Sequence, residues 1–212
     1  MPGLFIVLEG IEGSGKTTQL GLLQKWLSET RIPHLVTREP GGTAVGEAVR
    51  DVLLHGGHVD PRSELLLYLA ARAQLVAETV RPALAEGRLV LTDRYELSTF
   101  AYQGAGRGLP IDEVRVLNTF ATAGLRPDLT ILLSLPRDVA EIRLRERGGG
   151  PDRLEGAGDG FHDRVASAYE TLGNTERGVE IVDGALDRAA VHAAVVRVLR
   201  NRFPETFAES TG

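Results

Sequence analysis

Gly10-Ile11-Glu12-Gly13-Ser14-Gly15-Lys16-Thr17 is the stretch that decides the fold, because it joins an apolar run at residues 4–8 to a segment with helical periodicity. A glycine-rich loop between a strand and a helix turns backbone N–H groups towards bound phosphate, above the positive end of the helix. Lys16 then reaches the terminal phosphates, and the Thr17 hydroxyl can ligate Mg²⁺. The alternative is a glycine-rich turn that matches this pattern by accident.

The use of lysine favours the phosphate-binding interpretation. Lys16 and Lys25 are the only lysines among the 24 basic residues of the chain. Lys16 therefore places a compact ammonium group at the one loop position where a phosphate-binding loop needs a lysine. The sequence predicts a nucleotide-binding protein.

Composition narrows the class of protein further. A length of 212 residues predicts one domain over 1–212. The formal net charge of −5 argues against sequence-independent binding of nucleic acid, which requires a basic face. The chain contains no cysteine, which excludes disulfides and thiolate metal sites. It has neither a run of about 20 apolar residues nor a signal-peptide pattern, so we expect no membrane partner and a cytoplasmic location.

Short apolar runs alternate with longer amphipathic segments along the chain. The runs predict strands at 4–8, 34–37, 88–92, 129–134 and 179–182. The amphipathic segments predict helices at 16–30, 43–55, 63–86, 111–123, 137–147, 161–176 and 187–202. Strands separated by helices predict an α/β fold in which a mostly parallel sheet is covered on both faces. Residues 205–212 have the composition of a frayed polar tail.

A second signal is the apolar run that ends in Asp93-Arg94. In doubly wound folds, ligands bind at the carboxyl edge of the parallel sheet. At that edge Asp93 can hold Mg²⁺ and Arg94 can bridge anionic phosphates. The alternative is an Asp–Arg pair on the surface, but the phosphate-binding loop favours the functional interpretation.

A third signal is the cluster of arginines beside a glycine-rich stretch at residues 148–160. Arg143, Arg145 and Arg147 precede it, and Asp152-Arg153 lies within it. One interpretation is a solvated helix in which Glu141 and Glu146 pair with the arginines. The other, which we favour, is a lid near 143–160 that closes over the phosphates and brings a guanidinium group to them.

Taken in order, these motifs resemble those of bacterial thymidylate kinases over nearly the whole chain. The resemblance is carried, after the phosphate loop, by Thr37-Arg38-Glu39-Pro40-Gly41-Gly42-Thr43, by Asp93-Arg94-Tyr95 with residues 98–104, and by Asp152-Arg153. It implies the P-loop nucleoside monophosphate kinase fold with a five-stranded parallel sheet. It also implies phosphorylation of dTMP to dTDP with ATP and Mg²⁺, in dTTP synthesis, by a homodimer.

The resemblance assigns roles residue by residue. It implies binding of ATP by Gly10, Ile11, Glu12, Gly13, Ser14, Gly15, Lys16, Thr17, Thr18 and Arg143, with Mg²⁺ at Thr17 and Asp93. It implies binding of dTMP by Glu12, Arg38, Pro40, Arg50, Tyr68, Arg72, Arg94, Ser98, Thr99, Tyr102 and Gln103. Within the second set, the resemblance implies that Tyr68 stacks on thymine, where phenylalanine is more usual. It also implies that Tyr102 excludes a 2′-hydroxyl and that Arg38 and Arg94 bind the acceptor phosphate.

The family divides by where its transition-state arginine lies. This loop has Gly13-Ser14 and no basic residue before Lys16, so the chain resembles the type that supplies the arginine from the lid. Arg153 is the first candidate, followed by Arg147 and Arg143; with Lys16 and Arg94 these form the expected catalytic set. Two other classes of protein are the alternatives. A GTPase switch recognises guanine through an Asn-Lys-x-Asp stretch, and this chain contains no such stretch. A non-catalytic nucleotide-binding regulator is disfavoured by the complete set of charged residues, and only an assay excludes it.

Overall fold

A computed structural model of the chain describes residues 3–148, 153–154 and 156–207. Its strands are β1 (Phe5–Glu9), β2 (His34–Arg38), β3 (Leu89–Asp93), β4 (Leu129–Ser134) and β5 (Val179–Asp183). All four strand pairings are parallel, in the order β2-β3-β1-β4-β5. The predicted five-stranded parallel sheet is confirmed. Asp93 lies opposite Leu8 of β1 and Arg38 of β2, so the polar residues after these three strands share one sheet edge.

The described part of the chain contains ten α-helices. Their bounds are α1 Lys16–Glu29, α2 Ala44–His55, α3 Pro61–Leu75, α4 Arg81–Ala85, α5 Glu96–Thr99, α6 Ile111–Thr122, α7 Arg137–Arg147, α8 Asp159–Thr175, α9 Arg188–Arg202 and α10 Pro204–Phe207. Two π-helical segments, Val76–Val80 and Phe100–Gly106, continue α3 and α5. None of the described helices is long and apolar enough to cross a membrane.

The core lies on both faces of the sheet, because the central strand is buried throughout. Every residue of β1 is buried, as expected for a parallel strand covered on two sides. On one face the apolar side chains of the sheet pack against α1, α9 and Phe207. On the other they pack against α3, the two π-helical segments, α6 and α8. This arrangement leaves the carboxyl edge of the sheet open for a ligand.

Two sequence predictions differ from the structure. The single helix predicted over 63–86 is interrupted by a π-helical turn just before Pro82. Proline lacks an N–H and its ring clashes with the carbonyl four residues earlier, so a wider turn accommodates it. The prediction of a frayed tail was wrong for residues 205–207, because Phe207 is buried and stacks on Trp26 at 5.4 Å. The rest of that tail lies outside the described residues.

Candidate active site

The phosphate loop connects β1 to α1 through three glycines with positive φ. Gly10, Gly13 and Gly15 have φ of 142°, 76° and 93°. A Cβ at Gly10 would stand 2.6 Å from the carbonyl oxygen of Leu133, and a Cβ at Gly13 would stand 2.5 Å from that of Ala140. Both the backbone angles and the neighbouring backbone therefore require glycine. The loop ends where Lys16 begins α1, which leaves the free N–H groups of that helix at the loop.

Lys16 is folded back onto the loop. Its Nζ donates to the carbonyls of Gly10 (3.0 Å) and Ile11 (2.9 Å) and approaches Ser14 Oγ at 3.4 Å. Burial, assisted by the charge of Arg94, lowers the pKa of Lys16 to about 8. An anion bound at the loop would favour the charged ammonium and reverse this shift.

Thr17 and Asp93 form an oxygen-rich corner beside the loop. Thr17 Oγ1 donates to Asp93 Oδ2 at 3.1 Å, while Asp93 Oδ1 is buried with no hydrogen-bond partner in the described part of the chain. A hydroxyl with a carboxylate oxygen suits Mg²⁺, which keeps several waters and phosphate oxygens as its other ligands. The described residues contain no cluster of three or more metal-binding His, Cys, Asp or Glu side chains.

Arg94 lies at the centre of the site. Its Nη1 donates to the carbonyl of Gly10 (3.2 Å), to Ser98 Oγ (3.0 Å) and to the Tyr169 hydroxyl (3.2 Å). Its Nη2 donates to the Tyr102 hydroxyl at 3.3 Å and lies 3.6 Å from Glu12 Oε1. Burial acts to lower the pKa of Arg94, but the surrounding phenolic and acidic groups hold it well above its ordinary value. A permanent cation is thus fixed beside the phosphate loop.

Glu9 supports this arrangement, a role that the sequence motifs do not predict. It ends β1, is fully buried, and accepts hydrogen bonds from the backbone N–H of Tyr95 (2.8 Å) and of Ser98 (3.1 Å). Its other oxygen accepts from Ser98 Oγ (2.6 Å) and the Tyr169 hydroxyl (2.9 Å). A carboxylate at the end of an otherwise apolar strand was the available signal. Tyr169 lies on the distant α8, and no sequence motif predicts that it belongs to the site.

A cleft and a smaller pocket adjoin at the site. The cleft, with a volume of about 1090 Å³, is lined by the loop residues Gly13, Gly15, Lys16, Thr17 and Thr18 and by Arg38, Asp93 and Arg143. The pocket, of about 80 Å³, is lined by Pro40, Tyr68, Arg72, Ser98, Thr99, Tyr102, Gln103, Leu54 and Leu154. Glu12, Glu39, Arg50 and Arg94 line both. Ligands in the two cavities would therefore meet at these four residues.

The predicted acceptor residues gather in the small pocket except for Arg38. Arg38 lies in the large cleft, where its Nη2 donates to both carboxylate oxygens of Glu47, at 2.9 and 3.0 Å. Arg50 donates to the carbonyl of Pro40 at 3.0 Å, which ties α2 to the loop after β2. Thr99 Oγ1 is buried without a hydrogen-bond partner among the described residues.

Arg72 is a fully buried cation in the wall of the pocket. It donates to Glu39 Oε2 (2.7 Å), Asn118 Oδ1 (2.6 Å) and the carbonyl of Tyr95 (2.8 Å), which uses three of its five N–H groups. Burial raises the pKa of Glu39 to about 7 despite the opposing charge of Arg72. Burial also raises the pKa of Tyr68, so its phenol remains protonated.

The lid arginines occupy different positions. Arg143 donates to the carbonyls of Gly184 (2.7 Å) and Ala185 (3.3 Å) and lines the large cleft. Arg153 is not among the residues that line the large cleft; it donates to the carbonyl of Leu53 at 2.7 Å and pairs with Glu64 Oε2 at 2.7 Å. Arg147 ends α7, but its side chain lies outside the described part of the chain, as do Asp152 and most of the glycine run.

The sheet order, the glycine loop and the paired cavities define a nucleoside monophosphate kinase fold of the P-loop class. A family model for thymidylate kinase matches residues 8–195. The chain is 50% identical over 199 residues to a thymidylate kinase of Desulforudis audaxviator, covering 92% of this chain and 89% of that one. It is 48% identical over 185 residues to one from Carboxydothermus hydrogenoformans, covering 87% and 90%. The chain belongs to the thymidylate kinase family.

A solved structure supports the same assignment. The crystal structure of thymidylate kinase from Ehrlichia chaffeensis superposes with a TM-score of 0.77 at 30% sequence identity, covering 94% of this chain and all of that one. The resemblance noted in the motifs is therefore confirmed by the sequences of whole relatives and by the fold.

Proposed function

We propose that this protein transfers the γ-phosphoryl group of ATP to dTMP and releases dTDP and ADP, in dTTP synthesis. The observation that carries the proposal is the shared wall of the two cavities. Arg94 and Glu12 line both the phosphate-loop cleft and the small pocket. A donor in the cleft and an acceptor in the pocket would bring their phosphates together beside Arg94.

On the donor side, the loop N–H groups and Lys16 would bind the phosphates of ATP. Thr17 and Asp93 would hold Mg²⁺, which when bound neutralises charge on those phosphates. The unpartnered oxygen of Asp93 and the hydroxyl of Thr17 fit this group. Gly10, Ile11, Ser14, Thr18 and Arg143 complete the proposed donor site, with Ile11 contributing through the carbonyl that also holds Lys16.

On the acceptor side, Arg94 would place the phosphate of dTMP for in-line attack, with Arg38 reaching it from the cleft. The attacking oxygen is already ionised, so no general base is needed and catalysis rests on placement and charge compensation. Glu12 would bind the 3′-hydroxyl, and Tyr102 would occupy the space of a 2′-hydroxyl.

At the base end, Tyr68 would stack on thymine and Arg72 would donate to a ring carbonyl. Two of its N–H groups remain for this bond after the three internal ones. Thr99 and Gln103 would contact the base, and Pro40, Arg50 and Ser98 would complete the wall of the pocket.

We further propose that a lid arginine compensates charge on the transferring group. Arg153, first in the sequence-based order before Arg147 and Arg143, reaches the phosphates only after leaving Glu64. Arg143 already lines the cleft. Each is tested by substitution with alanine, with Arg145→Ala as the matched control, because Arg145 is 79% exposed. Replacement of the acting arginine by alanine should lower kcat more than it raises the KM for the acceptor. The reverse pattern for Arg153→Ala would assign it to the acceptor pocket instead.

The experiment that tests the function is ADP release from ATP and Mg²⁺ with dTMP, dUMP, UMP, CMP and AMP as acceptors. We expect fast turnover with dTMP, weak turnover with UMP and none with Lys16→Ala. Lys25→Ala is the matched control, because the Lys25 side chain is 74% exposed and lies far along α1. Turnover only with another acceptor would overturn the base assignment. The absence of any acceptor-dependent turnover would favour a nucleotide-binding regulator.

We also propose that the protein is a cytoplasmic homodimer, since its substrates occur in that compartment and an apolar surface is exposed on packed helices. Val52 of α2, Leu66 of α3, and Val116 and Phe120 of α6 are 45%, 57%, 69% and 86% exposed. Helix α3 packs against both α2 and α6. Exposed apolar side chains on neighbouring helices mark interaction surfaces, and a second copy is the partner that we propose.

A further inference from the structure

Glu64 is a charged group that neither the phosphate chemistry nor the pocket lining uses. It lies in the first turn of α3 and its side chain is fully buried. Its Oε1 accepts from Gln103 Nε2 (2.8 Å) and Arg107 Nε (3.1 Å). Its Oε2 accepts from Arg107 Nη2 (3.0 Å) and pairs with Arg153 Nη1 (2.7 Å). Four donors and two cations thus surround one carboxylate.

These donors keep Glu64 ionised. Burial acts to raise its pKa, but the hydrogen bonds from Arg107, Gln103 and Arg153 overcome burial and hold the pKa below its ordinary value. An ionised carboxylate accepts hydrogen bonds and donates none. The side-chain amide of Gln103 must therefore turn its NH₂ group towards Glu64. Its carbonyl oxygen is left as the acceptor that Gln103 offers to the small pocket, which it lines.

The orientation of that amide matters because pyrimidines differ in the same atoms. Thymine and uracil present an N3–H donor beside a carbonyl oxygen, whereas cytosine presents an N3 acceptor beside an amino group. Arg72, which also lines the pocket, can only donate. An accepting Gln103 carbonyl and a donating Arg72 guanidinium in one pocket match the first pattern and oppose the second. If the amide were free to turn over, it would match either base.

We propose that Glu64 is a positioning residue that sets the base selectivity of the acceptor pocket by locking the Gln103 amide in one orientation. The proposal rests on the proposed function, since it concerns which monophosphate the pocket accepts. Glu64 need not touch the substrate. It acts through the fixed direction of one hydrogen bond, 39 positions away in sequence from Gln103.

The test compares dUMP with dCMP, which share a sugar and differ at N3 and C4 of the ring. The measured quantity is the ratio of kcat/KM for dUMP to that for dCMP. We expect Glu64→Gln to lower this ratio by about tenfold or more, mainly through KM, because a neutral amide can donate or accept and no longer fixes Gln103. A loss of packing alone would lower kcat for both acceptors and leave the ratio unchanged, which would overturn the proposal.

A double-mutant cycle gives the second measurement. Gln103→Met should lower the ratio by itself, and adding Glu64→Gln should lower it no further, because the two residues act as one unit. Additive effects would overturn the proposal. If Glu64→Gln does not fold, as judged by circular dichroism, Gln103→Met decides: an unchanged ratio contradicts the role of the amide, and a lowered ratio supports it.

Arg107→Gln is the matched control, because it removes a cation from the same carboxylate and leaves the Gln103 bond in place. Its ratio should equal that of the unsubstituted protein, and a fall like that of Glu64→Gln would overturn the proposal. The two proposals fail separately. Without turnover of dTMP the proposed function is wrong, whereas turnover of dTMP with unchanged ratios contradicts only the role of Glu64.

Discussion

At the scale of single residues, the site is built from charged groups taken out of water and held by internal partners. Lys16, Arg72, Glu9 and Glu64 are all buried. Such groups are costly to bury unless they are hydrogen-bonded, and each of these has at least two partners. Their hydrogen bonds hold the site in one geometry. Substitution of each of these residues should therefore change the activity in a different way.

The pH dependence of ATP use should report the buried ammonium of Lys16. The pKa of Lys16 is lowered to about 8 in the ligand-free protein, so the neutral amine forms as the pH rises through that value. We expect kcat/KM for ATP to fall in this range, because that parameter reports the free enzyme. By contrast, kcat should stay level there, because bound phosphate restores the charge.

Lys16→Arg provides the control for this profile, since a guanidinium group stays charged throughout the range. Its kcat/KM for ATP should be lower but independent of pH between about 7 and 9. A decline at the same pH in Lys16→Arg would assign the titration to another group.

The sugar preference should depend on the ring of Tyr102 and not on its hydroxyl. The ring lies under the Arg94 guanidinium at 5.0 Å, and the hydroxyl accepts from Arg94. Tyr102→Ala should lower the ratio of kcat/KM for dUMP over UMP by about tenfold, because space for a 2′-hydroxyl opens. Tyr102→Phe keeps the ring and should keep the ratio. Equal ratios for Tyr102→Ala and the unsubstituted protein would contradict the proposal that the Tyr102 ring excludes a 2′-hydroxyl.

At the scale of elements, the π-helical segment Phe100–Gly106 places Tyr102 and Gln103 at the pocket and packs its far end on α8. The sequence pattern predicts no helix or strand over these residues. The reason is that a π-helical turn has no hydrophobic period of its own and is stabilised by its surroundings. Here α8 provides those surroundings: Phe161 and Val165 lie directly against Gly106.

The contact between this segment and α8 should tolerate no side chain at Gly106. A Cβ there would stand 2.6 Å from Phe161 and 2.9 Å from Val165. We expect Gly106→Ala to lower the free energy of unfolding by about 1–3 kcal/mol, the usual cost of overpacking a core contact. Gly21→Ala in α1 meets no atom within 4 Å and should raise stability slightly. Denaturant unfolding measures both. If Gly106→Ala and the unsubstituted protein had equal free energies of unfolding, the side chains of α8 would have moved to make room for the added methyl group.

At the scale of the whole molecule, parallel pairing of β2, β3 and β1 brings three sequence-distant motifs to one edge. Arg38, Asp93 and the phosphate loop, which follows Glu9, meet there because their strands are in register. The same architecture leaves apolar side chains of α2, α3 and α6 exposed, and these define the proposed surface for a second copy.

Disruption of that surface should change the oligomeric state. Phe120 is 86% exposed, so a substitution there leaves the packing of the monomer intact. We expect Phe120→Asp to convert a dimer into a monomer in sedimentation or light-scattering measurements, because a charge would be buried without a partner. Leu186→Asp, at an exposed apolar position outside these helices, should leave the dimer unchanged. A monomeric unsubstituted protein would contradict the assembly.

The sequence by itself determined the fold class and predicted the phosphate loop and the Asp93-Arg94 pair. The alternation of apolar and amphipathic runs predicted all five strands within one residue at each end. The signal is a continuous apolar run in β1, β3 and β4, which are buried almost throughout. The glycine loop and the Asp93-Arg94 pair were recognisable because phosphate and Mg²⁺ demand particular residue types at particular spacings.

Only the tertiary structure decided which partners the buried charges have. The attachment of Arg153 to Glu64, the support of Arg94 by Glu9 and Tyr169, and the anchoring of Arg72 by Glu39 and Asn118 join residues from distant elements. Neither periodicity nor local spacing encodes these pairings. The direction of a buried side chain depends on the packing of helices from opposite ends of the chain, and that packing exists only in the folded molecule.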